Sequence, residues 1–585
     1  MNKVHVLAAD VIAKIAAGEA VDRPAAVVKE LLENALDAGA TAIDIHLKDA
    51  GKELIHLRDN GSGISRDNLE RIFQRHATSK INSIEDLERL SSMGFRGEAL
   101  YSIAAVSDVT LTTRTGPQDG WQIHWRAGTR QDLQPAALSS AGTDIKVAEL
   151  FFNTPARRKF LKNNASELHQ ILNVVMPYAL IYPQLRLALT HAGRALLDLK
   201  PSPSAVDRAA AALNVNMEHW LECDQEYPQE KIRIKMVLGN INVQRPRRDL
   251  QFIFINNRPV ESKNLSFNLN DVYKLILPPG VYGAFIINIM LDPANVDVNI
   301  HPTKREVRLK DEARIISLLR RMTEYQLMHK GRPRQPASSV LENGLSADQV
   351  VFAPGQVQPS LSFPNIGTSS YFRPSQDTCP TEGDPLPLDF HLFGQEDTLR
   401  SKFQRARFIG HFLQKFLIFE ADQSLLIVDQ HAAQERIMFE KFKNQIEKAA
   451  VETQPLLTPL LVKLTPQEKI AWEEAQEKMS ALGIETTQFD EDTIAVQTQP
   501  LLLKNMEAVV RSLLAGNAVP RLDKETLARR ACKASIVAGD KLDASQADYQ
   551  RRQLLDCRDP FTCPHGRPTL IEVTQDFLDR QFLRT

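Results

Sequence analysis

The sequence has no long apolar run. Its most apolar stretches, such as Gly283–Met290 (GAFIINIM), fall far short of the roughly 20 residues a membrane-crossing helix needs, so no membrane span is expected. No leader is expected either. The opening residues, MNKVHVLAADVIAKIAAGEA, carry two lysines and several polar interruptions, with no continuous apolar stretch before a small-residue cleavage site. No signal peptide is expected, and the chain should stay inside the cell. Cysteine is scarce: five in 585 residues, at 223, 379, 532, 557 and 563, make no disulfide framework. Cys532, Cys557 and Cys563 crowd into the last sixty residues, which raises the expectation of a metal site there. An excess of one charge is also absent, the formal net charge being −1. Nucleic-acid binding would therefore depend on local basic patches and be sensitive to salt. Neither a Walker-type GxxxxGK[ST] nor an internal repeat is present.

At this length two to four domains are expected. Up to about residue 330 helical and strand-like patterns alternate, with a boundary near 200–210. Before it, DIHLKDAGKELIHLRDN reads as a hairpin of alternating residues. After it, KIRIKMVLGN, DLQFIFINNRPV and VYGAFIINIMLD read as strands and SFNLNDVYKLIL as helix. From about 331 to 400, Pro, Ser, Gly and Gln become frequent without a sustained period, a flexible-linker composition. A coil of roughly 65 residues spans about 40–50 Å r.m.s.. Patterning resumes near Phe403 and continues to Thr585.

Three segments in the first region carry ligand chemistry. Val27–Gly39 (VVKELLENALDAG) has helical spacing. Glu30, Glu33, Asn34 and Asp37 fall on one face and Val28, Leu31, Leu32, Ala35 and Leu36 fall opposite, as they also would in a plain amphipathic surface helix. LIHLRDNGSGIS is a strand running into Asp59-Asn60-Gly61-Ser62-Gly63. Its glycines let backbone approach a ligand closely, and Asp59 can accept a hydrogen bond from an exocyclic amine. A lone DxGxG is more often an ordinary turn. After RHATSK (Arg75–Lys80), the segment GFRGEAL (Gly94–Leu100) places a glycine pair at a helix start, where free N–H groups and the helix dipole favour anions.

Basic side chains cluster at Arg157, Arg158, Lys159 and Lys162, at Arg245, Arg247 and Arg248, and at Arg258. Solvated loops account for most such runs; where these bind DNA, they should do so through phosphates and without base choice. Near the C-terminus, LLIVDQHAAQERIMFE (Leu425–Glu440) reads as a buried strand entering a helix. Asp429 sits at the strand end, and His431 and Glu435, four apart, share a face. RACKASIVAGDKL (Arg530–Leu542) and CPHGRP (Cys563–Pro568) follow, and Cys563 and His565 would point the same way in an extended segment. Such side chains can surround one or two divalent metals, although Cys532 alone reads as a small buried hydrophobe.

The order of a carboxylate/Asn helix, an Asp-Gly turn and a Gly-rich helix start resembles the GHKL ATPase superfamily. IAAGEAVDRPAAVVKELLENALDAGA, RHATSK, GFRGEAL, VAELFFNTPARRKFL and VDVNIHPTKREVRL (Val296–Leu309) narrow the resemblance to its MutL family of DNA mismatch-repair proteins. DQHAAQERIMFE, ACKAS, CPHGRP and the terminal FLR (Phe582–Arg584) resemble the motifs of those members that cut DNA themselves; the run IVAGDKL after ACKAS departs from the usual pattern.

The resemblance implies an α+β multidomain chain. A GHKL-type ATPase α/β sandwich would occupy 1–205, a second α/β domain completing the ATP site 206–330, the linker 331–400, and an α+β dimerisation and endonuclease domain 401–585. It implies ATP and Mg²⁺ as cofactors, with Glu30 the general base, Asn34 the magnesium ligand and Asp59 the reader of the adenine amino group. Gly61, Gly63, Thr78, Gly94, Arg96, Gly97 and Thr143 would line the nucleotide, and Lys304 would reach the γ-phosphate from the second domain. Asp429, His431, Glu435, Cys532, Cys563 and His565 would form the metal and catalytic shell, taking Zn²⁺ and/or Mn²⁺; Glu440 belongs to the motif but is assigned no ligand role.

Arg157, Arg158, Lys159 and Arg258 would contact double-stranded DNA without sequence preference. Gln454, Leu457 and Pro459 fit a QxxLxP pattern that resembles sliding-clamp-binding peptides, and a Pro-rich strand connection explains them equally well. The implied partners are a second copy of the chain, a MutS-type mismatch-recognition protein, the clamp and a helicase. The implied location is the bacterial cytoplasm, associated with the nucleoid. The implied function is a slow ATPase switch coupling mismatch recognition to strand incision; the alternative is a matchmaker that recruits a separate nuclease.

Overall fold

In the computed structural model the described residues are 21–78, 93, 97–116, 118–277, 280–297, 308–329, 396–413, 415–515, 524–535, 542–564 and 566–582. The expected linker lies outside them, except that 396–400 open a helix, Glu396–Arg405, ahead of the expected boundary. No helix among the described residues is long and apolar enough to cross a membrane.

The first sheet has eight strands: β1 (Ala42–Lys48), β2 (Leu54–Asp59), β3 (Asp108–Arg114), β4 (Trp121–Arg126), β5 (Thr129–Pro135), β6 (Gly142–Ala148), β7 (Arg186–His191) and β8 (Arg194–Leu199), in the order β5-β4-β3-β6-β2-β1-β7-β8. The expected hairpin is β1–β2, antiparallel with Ile43 opposite Asp59; β1 pairs β7 in parallel. Alternating side chains on β1 and β2 turn Ile43, Ile45, Ile55 and Leu57 inward. Two helices cover that face: α1 (Pro24–Asp37), which starts with proline at its first position, and α4 (Asn164–Ile181), capped by the Asn163 side chain on the Ser166 N–H. Val27, Val28, Leu31 and Leu32 of α1 and Ile171, Leu172 and Val175 of α4 complete one core with the strands. Each such side chain contributes about 1.5–3 kcal/mol on full burial. Between them in the chain lie α2 (Ala99–Ala105) and α3 (Pro155–Phe160).

Helix α5 (Ala205–Leu213) follows, and Ala209, Ala212 and Leu213 join the first core. Five strands make the second sheet, β12-β11-β13-β10-β9, from β9 (Trp220–Tyr227), β10 (Ile232–Gly239), β11 (Gln251–Ile255), β12 (Arg258–Val260) and β13 (Phe285–Met290). The helices α6 (Lys263–Tyr273) and α7 (Glu312–His329) close its core through Leu265, Leu269, Ile315 and Leu318.

After residue 402 an antiparallel sheet runs β14-β15-β16-β20, from β14 (Arg407–Phe412), β15 (Phe416–Ala421), β16 (Ser424–Asp429) and β20 (Leu570–Thr574). Strand β16 feeds directly into α9 (Gln430–Glu447), the helix numbered after Glu396–Arg405 (α8). A second sheet, β17-β19-β18, comprises β17 (Thr453–Lys463), β18 (Thr486–Gln488) and β19 (Thr493–Pro500) and accompanies α10 (Pro466–Ala481), α11 (Met506–Leu514), α12 (Lys524–Ser535) and α13 (Ala544–Leu555). Ile437, Phe439 and Phe442, compatible by pattern with a subunit interface, are buried inside the chain. Phe439 and Phe442 pack in one core with Trp472, Val509, Val510 and Cys532, so they are not open to a second copy.

Candidate functional site

The polar face of α1 is less uniform than its spacing suggests. Glu30 and Asn34 are half-buried, but Glu33 is buried against α4, where the Tyr178 hydroxyl donates to its carboxylate. The Lys29 Nζ stands 3.2 Å from Glu33 and 3.6 Å from Glu30. Burial, then the Glu33 charge, push the Tyr178 phenol far above its ordinary pKa, so it stays a donor. Farther along, the Asp37 Oδ1 accepts the Met93 N–H at 2.9 Å, which ties the residue just before Gly94 to the end of α1.

The Asp59 turn packs against that same end. Asn60 Oδ1 accepts the N–H groups of Thr41 and Ala42, both at 2.8 Å, fixing the turn at the start of β1. Gly61 lies so close to Ala38 that a Cβ on it would stand 2.8 Å from the alanine Cβ, and the Ser62 N–H donates to the Ala38 carbonyl at 3.0 Å. Gly63 has φ +71°, and a Cβ there would fall 2.1 Å from the Arg114 carbonyl oxygen. Asp59 is buried and accepts the Gly61 N–H at 2.8 Å. Its carboxyl is pushed up to about 6, chiefly by burial and further by the nearby Asp144 charge, against hydrogen bonds from the Gly61 and Thr143 backbone. Thr143 is its cross-strand partner on β6, and its hydroxyl lies 3.3 Å from that of Thr113.

Thr78 is half-buried, and Gly97, at φ +61°, approaches Ala77 so closely that a Cβ would lie 2.4 Å from the Ala77 carbonyl oxygen. Through these contacts the end of α1, the 59–63 turn, Thr143 and Met93 meet at the ends of the central strands β2 and β6, while Gly97 packs on Ala77. Gly94, Arg96 and Lys304 lie outside the described residues.

The basic groups divide by surroundings. Arg158 and Lys159, in the last turn of α3, are exposed, and the neighbouring Phe160 keeps 86% of its surface. Arg157 is half-buried, with its Nη1 buried and unbonded among the described groups. Arg258 does not belong with them. It is half-buried on β12, its guanidinium facing Glu33, Asp37, Tyr178 and Tyr182, with burial as the first cause of its lowered pKa. Those carboxylates compensate its charge, which removes it from the solvent-facing set. Arg245 is buried as well, in the field of Glu468 and Asp249.

At the β16–α9 junction Asp429 is the N-cap, its Oδ1 accepting the N–H groups of His431 at 2.9 Å and Ala432 at 3.0 Å. One turn on, His431 Nε2 is 3.5 Å from the buried Glu435 carboxylate, and that hydrogen bond raises the imidazole pKa above its usual value, against burial and the Arg567 charge. Cys532 on α12 is buried; burial, with the Glu435 charge second, pushes its thiol up to about 12. Cys563 is buried in a tight turn in which its N–H donates to the Arg567 carbonyl at 2.8 Å and its carbonyl accepts the Gly566 N–H at 2.9 Å. Beside the turn, the Thr569 carbonyl accepts the Asp429 N–H at 2.9 Å. His565 lies outside the described residues, and among those described no three His, Cys, Asp or Glu side chains stand close enough to hold a metal ion.

Sequence reasoning missed Arg436 here and gave Glu440, a member of the motif, no task. The Glu440 carboxylate accepts the backbone N–H groups of Arg558 at 2.7 Å and Asp559 at 3.3 Å. An Arg and a Glu four apart on a helix were a visible signal, but their partner loop, over a hundred residues on, was not. Gln454, Leu457 and Pro459 lie on β17, an outer strand of its sheet, where pairing slips between Pro455 and Leu460; all three are exposed.

Comparison with known proteins covers most of the chain. Residues 23–143 match the family model described as histidine kinase-, DNA gyrase B- and HSP90-like ATPase. Residues 210–327 match the DNA mismatch repair protein C-terminal domain, and 409–542 the MutL C-terminal dimerisation domain. The DNA mismatch repair protein MutL of Thiobacillus denitrificans is 36% identical, over 99% of this chain and 99% of its own length. That of Listeria monocytogenes serovar 1/2a is 33% identical over 98% of this chain and 97% of its own. Among solved structures, the N-terminal domain of a DNA repair protein aligns with 55% of this chain and 98% of its own at 26% identity, with a TM-score of 0.48.

Proposed function

Because the chain belongs to the MutL family of DNA mismatch repair proteins, we propose that its GHKL-type ATPase works as a slow conformational switch governing a metal-dependent nicking site in the C-terminal domain. Glu30 is the general base of hydrolysis, Asn34 holds Mg²⁺ through its amide oxygen, and Asp59 reads the adenine amino group. Gly61, Gly63, Thr78, Gly94, Arg96, Gly97 and Thr143 surround the phosphates and base, and Lys304 senses the γ-phosphate. A single general base contributes only about 10²–10⁴ in rate, which suits a timer. The observation that carries the ATP reading is the packing of the Asp59 turn and Met93 onto the end of α1. Glu30→Ala is expected to lower kcat by about that factor with ATP binding retained. Loss of binding instead, in single-turnover and equilibrium measurements, would contradict the assignment.

For the second site, the donor chemistry fits a divalent cation: a buried carboxylate facing an imidazole, with buried thiols at Cys532 and Cys563. Asp429, His431, Glu435, Cys532, Cys563 and His565 would hold Zn²⁺, with Mn²⁺ as a harder second ion that activates water and screens phosphodiester oxygens. Zinc titration of the chelator-treated protein against a colorimetric indicator tests this. Cys532→Ser should weaken affinity by about tenfold or more, and unchanged affinity would remove Cys532 from the ligand set.

The matchmaker reading has one observation in its favour: the described donors meet in no group of three. Exposed Arg158 and Lys159 would meet DNA phosphates, and exposed Gln454, Leu457 and Pro459 would meet the sliding clamp. A MutS-type protein would supply mismatch recognition and a helicase would follow incision. The working form is a homodimer in the bacterial cytoplasm, at the nucleoid.

A further inference from the structure

The Cys563 turn is closed at its base by a bridge between Thr562 and Pro568. Between the end of α13 at Leu555 and the start of β20 at Leu570 the described chain forms no regular helix or strand. Those of its backbone groups not paired within it need partners from elsewhere. On one side Thr569 closes the segment on itself, its N–H donating to the Phe561 carbonyl at 3.0 Å, and its carbonyl receives the Asp429 N–H from the end of β16. On the other side α9 supplies them through two charged side chains one turn apart.

Arg436, only 7% exposed, donates from Nε to the Thr562 carbonyl at 2.5 Å and stands 3.4 Å from Glu440 through Nη1. The Glu440 carboxylate takes the successive N–H groups of Arg558 and Asp559 on its two oxygens. A carboxylate can fork over two adjacent N–H donors while also neutralising a buried guanidinium; a neutral side chain cannot do both. Removing Glu440 leaves the buried Arg436 only the Asp559 carboxylate, 3.8 Å from its Nη1, and removes the acceptor of two backbone N–H groups.

We propose that Arg436 and Glu440 are positioning residues that clamp the 558–562 segment to α9, and so fix the Cys563 turn beside the helix that carries His431 and Glu435. What the turn is held for rests on the metal reading given above; the clamp itself does not. This gives Glu440 a task without making it a ligand.

The test uses the full chain, metal-free, with iodoacetamide as probe and mass spectrometry to follow alkylation of Cys563 and Cys532 separately. Glu440→Ala should speed Cys563 alkylation by about tenfold or more through local opening of the turn, leaving Cys532 in the core near its wild-type rate. Glu440→Gln keeps one acceptor but not the charge, and should fall between wild type and Ala. A Cys563 rate within about twofold of wild type, or Cys532 and Cys563 speeding up together, would overturn the clamp. Where Ala unfolds the domain, the Gln variant decides by the same two rates. Zinc affinity measured alongside should fall by about tenfold. With Cys563 exposed as predicted and zinc affinity unchanged, the clamp would stand and the metal reading of Cys563 would fail.

Discussion

Asp59, proposed to read the adenine, illustrates how a buried carboxyl can strain the fold that holds it. Its carboxyl titrates near 6, above the ordinary value of 3.8, because burial disfavours the charge. A pKa raised on folding favours the folded state at low pH, and that advantage is lost as pH rises through 6. At pH 7 to 8 the ionised carboxylate therefore costs stability relative to a neutral isostere, by up to about 3 kcal/mol. Asp59→Asn should raise the denaturation midpoint at pH 7.5 and change it little at pH 4, while weakening ATP binding by about tenfold or more. A variant that binds ATP normally would remove Asp59 from the adenine contact. Tyr178→Phe should move the other way, because it leaves buried Glu33 without its hydroxyl donor. A loss of about 1–3 kcal/mol is expected in urea titration, and no loss would mean that Lys29 and Arg258 suffice for Glu33.

Elements were easier to foresee than the contacts between them. Alternation in DIHLKDAGKELIHLRDN and the run from LLIVD into a helix determined β1, β2, β16 and α9, since periodicity is a local property of the chain. The same local view grouped Glu33 with Glu30 and placed Arg258 among DNA contacts. It could not see that Tyr178, 145 positions away, buries the first, or that Glu33 and Asp37 face the second. The apolar stripe Ile437, Phe439 and Phe442 showed the same ambiguity, because a core-facing and a partner-facing stripe have one pattern. Glycines separate cleanly at this scale. Gly63 and Gly39 both have positive φ, +71° and +73°, but a Cβ on Gly63 meets the Arg114 carbonyl while one on Gly39 meets nothing within 4 Å. Gly39→Ala should cost about 1 kcal/mol from backbone strain alone, and Gly63→Ala at least about 2 kcal/mol more, with loss of ATPase. Equal effects on the thermal midpoint would show that the turn relaxes around the clash.

At the scale of the whole molecule, the account joins the ATPase domain to a proposed C-terminal metal site on one chain. The MutL-type dimerisation domain joins two such chains. With a net charge of −1, the DNA affinity proposed above would rest on local groups such as the exposed Arg158 and Lys159. Replacing both by alanine should reduce the salt slope of DNA binding by about one per residue, without changing ATP hydrolysis. The most direct test of the central claim is a supercoiled-plasmid assay with Mn²⁺, with and without ATP, comparing wild type, Glu30→Ala and Asp429→Asn. Relaxed circles from wild type, loss of nicking in Asp429→Asn with ATPase intact, and loss of ATP dependence in Glu30→Ala are predicted. A wild type that hydrolyses ATP and leaves the plasmid supercoiled would contradict the account and leave the matchmaker reading in its place.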